Sequence, residues 1–248
     1  MSPRKARLDV LLVARGLAES RERAQALILA GSVEVAGHQH VKAGMQLPDD
    51  VEIRVAAPEH PWVSRGGIKL AHALDVFGID VTGRLGLDIG ASTGGFTDVL
   101  LQRGARHVLA IDVGHGQLHW KLRTDPRVTL YEGLNARALG RNDLPALGDG
   151  AGIVTIDVSF ISLKYILPVL PPLLVAGADV IALVKPQFEA GRDEVGGGGI
   201  VKDPDVHARV VAEVSDAAAE VGLTRVGLTA SPITGTEGNR EFLLHLRS

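Results

Sequence analysis

The sequence contains no cysteine. That absence removes disulfide scaffolds, thiolate metal sites and cysteine nucleophiles together, and it fits a reducing compartment. No large excess of either charge is present: 26 Lys and Arg stand against 29 Asp and Glu, a net charge of −3, so a histone-like polycation is excluded. A long unbroken apolar run is missing as well. Residues 165–184 are the longest apolar stretch, but Pro168, Pro171, Pro172, Gly177 and Asp179 interrupt it, so it reads as a helix, a turn and a buried strand rather than a membrane span. Near the N-terminus Asp9 and Arg15 break the apolar residues, so no secretory leader and a cytoplasmic location are expected. What remains is ordinary globular material, 46% hydrophobic and 22% charged over 248 residues, enough for one large domain with a small appendage.

The pattern divides the chain accordingly. Over residues 1–58 Leu8, Leu11 and Leu12 recur at helical spacing, Gly16 breaks the run, and a second helix with Ala24, Leu27 and Ile28 starts near Ser20 and stops at Gly31. Val33 and Val35, then Val51, Ile53 and Val55, alternate with polar residues as short strands do. Pro58, His60, Pro61 and Trp62 punctuate a linker at 59–64. Residues 65–248 then alternate between helix and strand: a helix over 66–77, apolar strands at 85–89, 108–112, 128–131, 153–158 and 180–184, and tail strands at 226–228 and 242–246. Short apolar strands separated by helices predict an α/β class, with a doubly wound parallel sheet of seven strands behind a small α+β module.

The first strand of that sheet runs into Gly90-Ala91-Ser92-Thr93-Gly94-Gly95-Phe96, and a helix follows directly. Glycines there let the backbone turn sharply and a ligand approach closely, while the helix start presents free N–H groups. Ser92 stands where the second glycine of a dinucleotide fingerprint belongs, and no Gly-Lys-Ser/Thr closes a phosphate loop. The pattern Asp88-x-Gly90-x-x-x-Gly94-Gly95 resembles the first motif of S-adenosylmethionine (AdoMet) methyltransferases. This resemblance implies AdoMet as cofactor, with Asp88, Gly90, Ser92, Thr93, Gly94, Gly95 and Phe96 around it. Asp112 ends the next strand about 20 residues on, where a carboxylate can accept both ribose hydroxyls. Asn135 follows the third strand and is placed for the adenine end, and Asp157 should border the cofactor from the fourth. A purely structural strand-to-helix turn is the alternative.

Four charged residues occupy costly positions: Lys69 on the helix before the sheet, Asp157 at the end of the fourth strand, Lys185 at the end of the fifth, and Glu241 at the start of the last. Ligands bind at the carboxyl edge of open α/β sheets, so Asp157 and Lys185 should meet over the cofactor. A lysine there can serve as a base for a hydroxyl, because burial and a neighbouring ammonium both favour the neutral amine. Lys185 is the candidate general base, with Asp157 and Glu241 as orienting partners. Two structural ion pairs are the alternative.

The order Lys69, Asp157, Lys185, Glu241 resembles the catalytic tetrad of FtsJ-like RNA ribose 2′-O-methyltransferases. The strings Trp62-Val63-Ser64-Arg65-Gly66-Gly67-Ile68-Lys69, Asp157-Val158-Ser159-Phe160-Ile161-Ser162, Lys185-Pro186-Gln187-Phe188-Glu189 and Gly199-Ile200-Val201-Lys202-Asp203-Pro204 resemble the TlyA, or hemolysin A, family. That family begins with an S4 RNA-binding domain, whose pattern Arg7-Leu8-Asp9, Ser20-Arg21, Gly31-Ser32-Val33 and Val35-Ala36-Gly37 matches. The resemblance implies methylation of cytidine ribose in ribosomal RNA of one or both subunits. The front module's helix pair and basic arm favour both.

Arg4, Arg7, Arg21 and Arg23 are candidate phosphate contacts on the front module, since backbone charge dominates affinity for nucleic acid. Arg65 and Phe160 are candidate RNA contacts beside the tetrad, and Trp62 is either a stacking platform or interdomain packing. His115 and His119 have i, i+4 spacing but no third ligand is evident, so no metal is expected. Lys202-Asp203-Pro204 reads as a gate or as a plain turn. Two rival functions remain open at this stage: a membrane-active hemolysin-like protein, for which no cationic amphipathic helix is evident, and an inactive RNA-binding or ribosome assembly factor.

Overall fold

The structure, a computed structural model, describes residues 5–18, 20–29, 32–38, 41–55, 60–235 and 238–248, with backbone alone at residues 22, 23, 26 and 29. Arg4 and the Arg23 side chain therefore lie outside the described residues. Two compact units make up the chain, Met1–Pro61 and Trp62–Ser248.

In the first unit, β1 (Lys5–Arg7) leads directly into α1 (Leu8–Ala14), followed by α2 (Arg21–Leu29), β2 (Val33–Val35), β3 (Gln46–Pro48) and β4 (Ile53–Val55). β1 pairs antiparallel with β3, and β2 with β4. Leu8, Leu11 and Leu12 from α1 pack with Ala24 and Ile28 from α2 and with Val33, Val35 and Leu47. The helix pair follows the apolar spacing, whereas β1 and β3 are three-residue strands too short for a period to show.

The second unit opens with α3 (Gly66–Phe77), then β5 (Leu85–Ile89), α4 (Gly95–Gln102), β6 (His107–Asp112), α5 (Trp120–Arg123), β7 (Val128–Glu132), β8 (Ala151–Ile156) and β9 (Leu174–Val184). It closes with α6 (Pro186–Glu189), α7 (Pro204–Glu220), β10 (Thr224–Ala230) and β11 (Phe242–Arg247). The seven-stranded sheet has the order β10-β11-β9-β8-β5-β6-β7. From β5 the chain winds outward through β6 and β7, then returns to β8 on the other side. The ends of β5 and β8 therefore diverge at a switch point, where open α/β sheets leave a crevice.

Both faces of the sheet are covered. Val180, Ala182 and Val184 of β9 enter the core beneath α7, while Ile181 and Leu183 enter the core that holds Leu70, Leu74 and Phe96 of α3 and α4. Two features differ from the sequence expectation. The predicted helix after residue 165 is replaced by three short 3-10 turns, Leu163–Tyr165, Leu167–Val169 and Pro171–Leu173, because Pro168, Pro171 and Pro172 interrupt α-helical hydrogen bonding. The sheet is mixed rather than wholly parallel: β11 runs antiparallel to β9 and β10. No helix appears among the described residues between β10 and β11, so the connection returns the chain without the crossover that parallel pairing requires.

Two buried carboxylates brace the sheet. Asp179 on β9 accepts hydrogen bonds from Arg84 Nη1 at 2.6 Å, from Arg247 Nη2 at 2.8 Å and, at 2.8 Å, from the His245 ring. Burial alone would raise its pKa, but the Arg84, His245 and Arg247 hydrogen bonds outweigh that effect and lower it. Nearer the carboxyl end, fully buried Asp88 on β5 accepts from Thr97 Oγ1 at 2.6 Å and Thr155 Oγ1 at 2.9 Å. Burial pushes Asp88 up to about 6 against those two bonds, and the charge of Asp157 adds to the rise.

The two carboxylates give opposite pH dependences. Asp179 contributes stability above its unfolded pKa of about 3.9 and loses it as pH falls through the lower folded value. Asp179→Asn should cost roughly 3–5 kcal/mol at pH 7, and melting curves should show a smaller Tm deficit at pH 3. The contribution of Asp88 is complete below about pH 3.9 and lost as pH rises through about 6. Melting wild type and Asp88→Asn from pH 4 to 8 should therefore show the wild type losing ground between about pH 4 and pH 6 and the difference levelling off above that; a constant Tm difference would contradict the assignment.

Candidate functional site

The site grows from the switch point. Gly90 has φ +86°, and a Cβ there would collide with the Asp157 carbonyl, so only glycine lets the ends of β5 and β8 approach this closely. Gly90 and Ala91 donate their N–H groups to the Ile111 carbonyl at 2.9 and 3.0 Å, which turns the loop over the end of β6. Ser92 follows in a left-handed conformation, φ 47°, and its N–H donates to Asp112 Oδ2 at 2.7 Å. Gly94, also left-handed at φ +94°, abuts Leu118 and Leu122 and leads into α4.

Two cavities meet along this loop. One, of about 510 Å³, is lined by Asp112 and Asn135 and by the apolar side chains of Ile111, Leu134, Val158 and Ile166. Each Asp112 oxygen accepts one backbone N–H, from Ser92 and from Gly114 at 2.7 Å, and a carboxylate retains lone pairs beyond these. Asn135 Oδ1 accepts the Arg137 N–H at 3.0 Å. The other cavity, of about 480 Å³, is lined by Lys69, Asp157, Lys185 and Glu241 together with Thr93, Gly95, Phe96 and Arg65. Gly90, Ser92, Asp157 and Ser159 line both.

The four charged side chains form two pairs. Lys69 Nζ donates to Glu241 Oε2 at 2.5 Å, and both side chains are buried. Lys185 Nζ lies 2.6 Å from Asp157 Oδ1 and donates to Ser159 Oγ at 2.9 Å. Asp157 Oδ1 is buried without an aligned hydrogen bond among the described residues, so its contact with Lys185 is an ion pair rather than a saturated bond. Ser64, Ser159 and Thr234 also line this cavity. They were not singled out in the sequence, although Ser64 and Ser159 stand in the same short strings as Lys69 and Asp157.

Not every candidate residue lines a cavity. Asp88 and Gly94 line neither cavity: Asp88 braces the loop from beneath, because its carboxylate is consumed by Thr97 and Thr155, and Gly94 faces the core. Trp62 packs on Gly67, where a Cβ would collide with the indole, and joins the core beside α3. His119 Nδ1 accepts the Lys121 N–H at the start of α5, while His115 lies against Gly133. Asp203 caps α7 by accepting the Asp205 N–H at 2.9 Å. Phe160 is 91% exposed, holds a left-handed backbone at φ 63° and lies 5.1 Å from the Phe188 ring. Its segment is anchored by Glu189, which accepts from Ser162 Oγ at 2.6 Å and Leu163 N at 2.8 Å. Burial raises the Glu189 pKa despite these bonds.

The family comparisons agree with this architecture. Residues 62–248 match the FtsJ-like methyltransferase family, and residues 6–53 match the S4 domain. The chain is 50% identical over 246 residues to the 16S/23S rRNA (cytidine-2′-O)-methyltransferase TlyA of Mycobacterium tuberculosis, covering 99% of this chain and 91% of that protein. It is 40% identical to Hemolysin A of Brachyspira hyodysenteriae, covering 96% and 98% of the two chains. A solved structure from Streptococcus thermophilus, named "Putative hemolysin", shares 46% identity and a TM-score of 0.75, covering 100% of this chain and 90% of that one. The chain therefore belongs to the FtsJ-like methyltransferases, in the TlyA family that joins an S4 domain to this catalytic fold.

Proposed function

We propose that the protein transfers a methyl group from AdoMet to the 2′-hydroxyl of cytidine in ribosomal RNA, of both the 16S and 23S types. The observation that carries this reading is one cavity lined by Lys69, Asp157, Lys185 and Glu241, continuous at Asp157 with a second cavity suited to a nucleoside. In that second cavity Asp112 would hold the ribose hydroxyls of AdoMet, apolar walls would take the purine, and Asn135 would meet its edge. When bound, AdoMet supplies an electrophilic methyl group and a thioether leaving group.

The chain's own residues supply position and proton transfer. A ribose hydroxyl entering the first cavity meets Lys185, whose amine is held between Asp157 and Ser159. In its neutral form the amine takes the hydroxyl proton as the new carbon–oxygen bond forms. Lys69, tied to Glu241, and Arg65 at the cavity wall present positive charge to the incoming nucleotide. Phe160 offers an exposed ring for stacking. In the first unit the guanidiniums of Arg7 and Arg21 contact RNA phosphates, which makes the S4 domain the substrate anchor. The hemolysin name belongs to relatives of this chain; among the described residues no helix is long and apolar enough to cross a membrane.

Lys185→Ala should reduce methyl transfer to ribosomal subunits by about 10²- to 10⁴-fold, the range for loss of a general base. Incorporation of labelled methyl and calorimetric titration of AdoMet check the two steps separately. AdoMet binding should survive the substitution, because Asp112 and the nucleoside cavity are untouched. Retained turnover would remove Lys185 from the mechanism.

A further inference from the structure

The first unit hides a carboxylate beneath the arginines that face solvent. Asp9 is fully buried, yet Arg7 Nε and Nη2 donate to its two oxygens at 2.9 Å each. Arg21 Nη2 and Gln25 Nε2 both donate to Oδ2, at 3.1 and 3.0 Å. One side chain in the first turn of α1 thus ties together the end of β1 and the start of α2. The Arg7 hydrogen bonds draw its carboxyl well below the usual range, with Gln25 and Arg21 helping and burial opposing. It is therefore an anion at neutral pH. The Arg7 and Arg21 side chains remain 43% and 53% exposed.

This arrangement differs from two arginines on a solvated face. A free arginine must give up much rotamer freedom when it grips a phosphate. Here Arg7 is locked through a bidentate fork and Arg21 is pinned to the same oxygen, so much of that ordering is already complete. The negative charge lies inside the fold, while two guanidiniums reach solvent side by side. Asp9 does not take the Nη1 group of either arginine as a donor. The Arg7 guanidinium lies against Gly44, and the N–H groups of the two arginines that Asp9 does not take can donate to oxygens of a nucleic-acid backbone.

We propose that Asp9 is a positioning residue that presents Arg7 and Arg21 as a preorganised two-armed clamp for the RNA phosphate backbone. This rests on the reading of the first unit as the RNA anchor and adds what gives the anchor its geometry. The clamp has a consequence opposite in sign to simple charge counting. Asp9→Asn removes a negative charge beside two positive ones, so long-range attraction alone would tighten RNA binding. Loss of the clamp weakens it.

The test uses the full chain, an unmodified 23S ribosomal RNA transcript as probe and one fixed salt concentration. For Asp9→Asn the RNA dissociation constant and the KM for RNA should rise about 3- to 10-fold, the ordering cost of one or two released side chains. AdoMet affinity and kcat at saturating RNA should be unchanged, a split that a general loss of stability would not produce. RNA binding by Asp9→Asn as tight as wild type, or tighter, overturns the inference. If Asp9→Asn fails to fold, Arg7→Lys decides, because it keeps the charge and removes the fork: weakened binding supports the clamp and unchanged binding overturns it. The double variant Arg7→Ala/Arg21→Ala separates the two levels of the argument. If it binds RNA like wild type, the anchoring role of this face fails, and the clamp with it; if it binds weakly while Asp9→Asn does not, only the clamp fails.

Discussion

The close approach of Gly90 to the Asp157 carbonyl is the constraint on which the site depends. With no side chain between them, the ends of β5 and β8 stand edge to edge at the place where the sheet reverses its winding. The loop after β5 can then turn over β6 toward Asp112, while the end of β8 carries Asp157 toward Lys185. The two cavities share a wall because of this contact. A larger residue at position 90 would separate them, whatever happened to the charged side chains.

Charge inside the second unit follows the same economy of position. The four charged side chains of the first cavity pair within 2.6 Å, Lys69 with Glu241 and Lys185 with Asp157, whereas Asp112 is held, among the described residues, by backbone N–H groups alone. Such pairs seldom stabilise a fold beyond what apolar side chains would provide, because desolvation offsets their attraction. Away from the cavities, Asp179 locks β9 to β11 and to the segment before β5. Its hydrogen bonds are saturated and serve the frame. Asp157 Oδ1, by contrast, is left without an aligned hydrogen bond at the junction of the cavities.

Much of this was legible in the sequence because periodicity and punctuation agree there. Helix α3 falls on residues 66–77 and strand β5 on 85–89, as their apolar spacing predicts, and Gly78 ends α3 in the left-handed conformation a C-cap needs. Asp157 and Lys185 were legible because a charge at the end of an apolar strand stands out, Lys69 and Glu241 through the family resemblance of their order, and the structure brings all four to one cavity. Residues 165–173 were not, because an apolar run broken by prolines fits a kinked helix and successive 3-10 turns equally well. The direction of β11 was hidden too, since its pairing is decided by a connection with no helical period. Asp88 looked like a ligand contact from its motif; the hydroxyls of Thr97, in the helix after the loop, and of Thr155, on another strand, show that it faces inward. The role of Asp9 was equally invisible, because its three donor residues come from two different elements, Arg7 from β1 and Arg21 and Gln25 from α2.

The most direct measurement is the identity of the methylated nucleoside. Ribosomal RNA incubated with the protein and isotopically labelled AdoMet, digested to nucleosides and resolved by mass spectrometry, should yield labelled 2′-O-methylcytidine. Label carried on a base, or on no nucleoside from either subunit, would contradict the account.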